Sequence, residues 1–169
     1  MPVPVITVAQ MREWEKAAWA SGQTEAEVIR RVGKRVGKRA RKLTRSGDAI
    51  LILAGKGNNG NDARAAGELI DDRQLEILNI TSPENDALKL QDLLRRKFAL
   101  IVDGLFGIGL NRPLDEHWQK FIATIKVDDL QYCIAFYIFY DQWFKTQLLR
   151  IAHCAIRDFN DSRLDFSKA

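Results

Sequence analysis

Ala49-Ile50-Leu51-Ile52-Leu53-Ala54-Gly55-Lys56-Gly57-Asn58-Asn59-Gly60-Asn61-Asp62 joins an apolar run to a glycine-rich turn and the start of a helix. Its first six residues form an unbroken apolar run of strand length, which suits a strand covered on both faces. Gly55, Gly57 and Gly60 then follow in G-x-G-x-x-G spacing, and Asp62 to Ile70 reads as a helix. Strand, glycine-rich turn and helix in that order let backbone N–H groups approach a pyrophosphate at the helix N-terminus. The motif alone is weak evidence. Paired asparagines and Asp62 are unusual for the dinucleotide loop of a hydride-transfer enzyme, where small apolar residues open the helix. Lys56 is no phosphate-clamping lysine, because G-x-x-x-x-G-K-[ST] is absent. Glu76, about 20 residues further on, stands where a ribose acid could lie, but it falls mid-strand.

Working outward, residues 8–20 read as a helix, with Met11, Trp14 and Ala18 at i, i+3 and i+7. Gly22 ends it. Thr24, with Glu27 three residues on, is a capping box that opens a second helix running to about Leu43. Downstream come a strand from Leu75 to Ile80, a helix from Pro83 to about Lys97, and a strand from Phe98 to Asp103. A second glycine-rich loop, Gly104 to Pro113, precedes a helix near 115–125. The βαβαβα order implies an α/β fold, a three-layer Rossmann-like sandwich with a mostly parallel sheet and two N-terminal helices. Ligands in such folds sit at the carboxyl ends of the strands, so the two loops are expected to share one crevice. Trp14, Trp19 and Trp118 are expected in the core. His117 and His153 have no partner at ligand or catalytic spacing.

The 169 residues suit one domain, and 46% hydrophobic with 28% charged residues is a globular composition. No apolar run approaches the roughly 18 residues of a membrane span. The start of the chain has no basic n-region or apolar h-region, so a cytoplasmic protein without a membrane partner is expected. Cys133 and Cys154 fit neither a disulfide scaffold nor a metal cluster. The net charge of +4 conceals an asymmetry. Residues 30–45 carry nine basic side chains and no acid, which leaves −5 for the rest. Val28, Val32, Val36 and Leu43 keep roughly helical spacing there, so the plain reading is an amphipathic helix with a solvated basic face. Without interleaved aromatics for base stacking, nucleic acid is not an expected partner.

Two loop motifs together carry a resemblance. Ala54 to Leu69 resembles the YjeF N-terminal domain signature, G-x-G-N-N-G-G-D-G followed by a helix rich in small residues. Asp103-Gly104-Leu105-Phe106-Gly107-Ile108-Gly109-Leu110-Asn111-Arg112-Pro113 is similar to that family's D-x-L-F-G-T-G-L-x-R-P. Met11 with Glu13, and Val28 to Gly33, stand where the family has its two N-terminal helix elements. The likeness runs over roughly residues 8–126, and a YjeF N-terminal-like domain is expected over 1–127. It implies an NAD(P)H-hydrate epimerase, an isomerase of nicotinamide nucleotide repair. Such an enzyme interconverts the R and S epimers of hydrated NAD(P)H, so that a partner dehydratase can restore the S form. Hydrated NAD(P)H is then the substrate, not a cofactor. The resemblance implies substrate contacts at Asn58, Asn59, Gly60, Asn61 and Asp62, and at Gly107, Ile108, Gly109, Leu110, Asn111, Arg112 and Pro113. It implies a potassium ion held by Asn59 and Asp103.

Each of these residues also has a plainer reading. Asn58 and Asn59 could fill left-handed turn positions, Asp62 could be an acid favoured by a helix N-terminus, and Gly107 and Gly109 could serve a tight turn. The chain also departs from the family. Asn61 and Ala63 stand where the family has glycines, so a Cβ there could narrow the phosphate approach or block a positive φ. Arg30 replaces a glutamate. The family's D-I-P-S-G-L motif, with its acid/base aspartate, is absent. Asp141, after the aromatic run 132–140, is the one candidate to replace it, so the catalytic residue is left unassigned. Residues 128–169 lack glycine and are expected to be a divergent tail of one strand and one amphipathic helix, arising from truncation or a reading-frame shift. The alternative function is a non-catalytic YjeF-like nucleotide- or RNA-binding scaffold. The long aromatic run invites burial in a homodimer interface.

Overall fold

The computed structural model describes residues 7–107, 109–110, 112–125 and 132–135. In chain order these form α1 (Val8–Ala20), α2 (Glu25–Leu43), β1 (Ala49–Ala54), α3 (Asn58–Gly67) and β2 (Gln74–Asn79). They continue with α4 (Pro83–Leu94), β3 (Leu100–Gly104), α5 (Glu116–Ala123) and β4 (Tyr132–Ala135). All strand pairs are parallel and the sheet order is β2-β1-β3-β4. The α/β expectation is met, and β1 lies inside the sheet with its apolar run covered on both sides. Leu51, Leu53 and Ile101 face Leu78, Ile80, Leu90, Phe98, Phe121 and Ile125. Ile50, Ile52, Leu100 and Val102 face Ala40, Ala63 and Ile70. This alternation with period two is why a doubly covered strand reads as continuous hydrophobicity.

Helix α2 begins at the expected capping box, in which the Thr24 side chain accepts from the Glu27 N–H and Glu27 accepts from the Thr24 N–H. Its C-terminal carbonyls are held by Arg73, which donates to Arg41 O at 3.0 Å and Thr44 O at 2.7 Å and forms an ion pair with Asp72. A guanidinium there satisfies orphan carbonyls and complements the negative helix end. Asp86 does the opposite service at the start of α4. It is 3% exposed and accepts from the Thr81 and Ser82 N–H groups and the Thr81 hydroxyl. Burial raises its pKa, but those hydrogen bonds and Lys89 outweigh burial and hold it below the ordinary carboxylate value.

Helix α1 has the expected bounds and opens at a capping box of Thr7 and Gln10 that the sequence reading did not single out, but none of its residues is buried. Trp14 is 62% exposed and Trp19 41%, so the expectation that both are core aromatics is corrected. An apolar period marks a face that could be covered, and no described element covers this one. Trp118 does join the core region, edge-on to Phe106 at 4.8 Å and to Phe121 at 5.6 Å. Of the expected tail elements, Tyr132–Ala135 forms β4 beside β3. The amphipathic helix expected in the tail lies outside the described residues. No helix among the described residues is long and apolar enough to cross a membrane.

Candidate active site

The carboxyl ends of β1 and β3 are neighbours, with Leu53 opposite Asp103 and Ala54 opposite Gly104. Each continues into one of the glycine-rich loops, and the loops interlock. The Gly55 N–H donates to Gly104 O at 3.1 Å. The Asn59 side-chain amide donates to Phe106 O. A Cβ on Gly107 would meet Asn59 Oδ1 at 2.8 Å, and one on Gly104 would meet Asn59 O at 2.7 Å and Ala63 Cβ at 2.6 Å. A Cβ on Gly60 would run into the Gly55 carbonyl. These glycines are needed for close backbone approach, since none of them has a positive φ; among the described glycines only Gly22 and Gly47 do.

Helix α3 starts four residues earlier than the sequence pattern suggests, with Gly57 as N-cap and Asn58 and Asn59 in its first turn. The left-handed reading of the two asparagines is therefore wrong. So is the concern that Asn61 and Ala63 need a positive φ, because both are helical. Ala63 is fully buried, its methyl against Gly104. Asn61 Oδ1 accepts from Arg64 Nη1 at 2.9 Å. Arg64 also donates to Asn79 Oδ1 at 2.7 Å and to Gly55 O at 2.8 Å, tying α3 to the ends of β1 and β2. Nothing in the sequence singled out Arg64. A guanidinium with three acceptors on three segments fixes the first loop from behind, so the asparagine that breaks the family's glycine pair has a structural partner.

The remaining expected residues divide clearly. Asp103 is 5% exposed, and one carboxylate oxygen accepts from the Leu105 N–H at 2.9 Å. Asn59 is half-buried and Asn58 exposed. Asp62 is half-buried three residues after Asn59, and burial pushes its pKa up to about 6. Leu110 closes a turn by donating to Gly107 O at 3.0 Å. Gly109, Arg112 and Pro113 are exposed. Ile108, Asn111 and Asp141 lie outside the described residues. Glu76 sits within β2 and pairs with Arg96 at 3.1 Å, which removes it as a ribose ligand. His117 lies 3.6 Å from Glu84 on the surface.

With this geometry in hand, known proteins supply the comparison. No family model matches the chain. An NAD(P)H-hydrate epimerase of Bordetella pertussis (strain Tohama I) is 34% identical over 137 residues, covering 70% of this chain and 58% of its own length. One from Achromobacter xylosoxidans (strain A8) is 33% identical over 142 residues, covering 72% of this chain and 66% of its own. The chain belongs to the YjeF N-terminal domain family. It spans less than two thirds of the length of these relatives. The crystal structure of yeast ynu0, YNL200c, has the same fold, with a TM-score of 0.62 at 16% identity over 80% of this chain and 70% of that one. In this YjeF-type domain the two family motifs meet where the β1 and β3 loops interlock.

Proposed function

We propose that this YjeF-type chain epimerises hydrated NAD(P)H, binding it across the β1 and β3 loops. The observation that carries the reading is the interlock of Asn59 with Phe106 and Gly107, which joins the two family motifs into one rigid edge. Its relatives bear the name NAD(P)H-hydrate epimerase. Helix α3 begins at Gly57 beside the loop after β3, and the positive end of a helix dipole suits the substrate's pyrophosphate. Gly57, the N-cap, where a Cβ would meet nothing within 4 Å, leaves that approach free of a side chain.

Epimerisation at C6 of the hydrated ring removes a hydroxyl from one face and returns water to the other. A group is needed that gives a proton to the departing oxygen and takes one from the incoming water. Asp62, with its pKa near 6, holds or releases a proton close to neutral pH, and it shares a helix face with Asn59. It is the described residue of this crevice best suited to that role. Asn59 and Asp103 offer amide and carboxylate oxygens, a donor set that fits a hard monovalent cation such as potassium. No group of three or more His, Cys, Asp or Glu gathers among the described residues, so such an ion would complete its shell with carbonyl and water oxygens. When bound it would supply positive charge beside the departing hydroxyl.

The test is to add the chain to one epimer of hydrated NADH and follow the R to S ratio by chromatography. Equilibration well above the uncatalysed rate is expected, faster with potassium than with a tetraalkylammonium salt. An unchanged ratio at high protein concentration would overturn the reading.

A further inference from the structure

The basic helix is the feature that the epimerase reading does not absorb. At 100° per residue, Arg31, Lys34, Arg35, Lys38, Arg41 and Lys42 fall within an arc of about 120° on α2, and they span about 16 Å along its axis. All six are exposed. Arg31 donates to the Gln23 side chain and sits within the field of Glu27, and Arg41 lies 3.7 and 3.8 Å from Asp71 and Asp72. Lys34, Arg35, Lys38 and Lys42 form no ion pair among the described residues. Lys34 stands four residues from Lys38 and Lys38 four from Lys42, so like charges repel along the face. A helix that also carries Gly33 and Gly37 in its interior has little propensity to spare against that repulsion.

We propose that this face of α2 binds the phosphodiester backbone of nucleic acid without sequence preference. The charges recur roughly once per helical turn, a ladder suited to a regular row of phosphates. There is no aromatic or aliphatic anchor on the arc, which disfavours a protein partner, since such interfaces rest on buried aromatic or apolar hot spots. A bilayer surface is disfavoured too. The small-residue face of α2, Gly33, Gly37 and Ala40, is already spent on α3 and the sheet, leaving no apolar face to insert. The missing aromatics limit the mode to phosphate contact, with no base stacking.

Fluorescence anisotropy of a labelled 20-base-pair DNA duplex, titrated with the full chain between 50 and 200 mM KCl, tests this directly. With about four phosphates neutralised, log K should fall with log salt at a slope of about −3.6, a loss of roughly 100-fold over that range. Lys34→Gln/Lys38→Gln/Lys42→Gln should lower the slope to about −1, while the corresponding triple Arg variant keeps it. Far-UV circular dichroism checks that each is folded, and the single Lys38→Gln change, which is milder, should remove about one unit of slope. No binding at 50 mM, equal binding by the triple Gln variant, or capture by phosphatidylserine vesicles but not by duplex would each overturn the proposal. None of these outcomes depends on the epimerase activity.

Discussion

The two faces of the sheet are built from different materials. On the α4/α5 side the core is bulky, with Leu90, Phe98, Phe121 and Ile125 against Leu51, Leu53 and Ile101. On the α2/α3 side the helices contribute small residues: Gly33 and Gly37 lie against Ala65, Ala66 and Leu69, Ala63 lies against Gly104, and Ala40 and Ala63 cover Ile50, Ile52, Leu100 and Val102. Large side chains hold helices at a distance and tolerate small adjustments by repacking. Small ones bring backbones into contact, so that the first turn of α3 lies hard against the loop after β3. The close-packed side is therefore the one that can place Asn59 against Phe106 and Gly107 with little freedom, and the bulky side supplies the cohesion that keeps it there.

The comparison can be broken at several points. Phe121→Ala on the bulky side should cost the most stability, about 3–5 kcal/mol, as a fully buried ring is replaced by a cavity. Denaturant unfolding measures it, and the epimerisation rate per folded molecule should stay the same. Gly104→Ala on the close-packed side should cost about 2–3 kcal/mol by overpacking against Ala63 and Asn59. Here the sharper outcome is a loss of substrate binding that exceeds what the lost stability explains. If instead both variants lose stability and binding in the same proportion, the two faces do not differ in kind.

Asp86→Ala should cost about 1–3 kcal/mol at neutral pH, because it removes a buried carboxylate that accepts from two part-buried backbone N–H groups. Its carboxyl has a depressed folded pKa, so its stabilisation is present above the unfolded carboxylate value and fades as pH falls through the lower folded value. Thermal melts from pH 7 to 2 should show the difference between wild type and variant closing at the acid end. Asp62→Asn should act in the opposite sense. With a folded pKa raised to about 6, the wild-type carboxylate is costly once ionised, so the variant should gain on the order of 1–2 kcal/mol above pH 6. That gain should vanish below about pH 4, where Asp62 is protonated in both folded and unfolded chains. The same substitution should slow epimerisation by at least tenfold. A variant that gains stability and keeps full activity would remove Asp62 from the chemistry.

Much of this architecture was legible because strand burial and loop chemistry leave strong marks. The run Ala49–Ala54 defines β1 to the residue, since a strand covered on both faces has no polar alternation to blur its ends. The two glycine-rich loops could be placed in one crevice from strand order alone. The start of α3 was not legible, because Asn58 and Asn59 suit a turn as well as a first helical turn, and only the approach of Gly60 to Gly55 selects the helix. Arg64 was invisible for a related reason: its acceptors, Gly55 O, Asn61 and Asn79, converge only after folding. Trp14 and Trp19 misled in the other direction, because periodicity reports an apolar face and does not report its cover.

Asn59 joins the two loops, and under the proposed function they form one substrate site. Isothermal titration of hydrated NADH into the wild-type chain and into Asn59→Ala tests this most directly. At least a tenfold weaker affinity is expected for the variant, with its fold retained by circular dichroism. Equal affinity in a folded variant would contradict it.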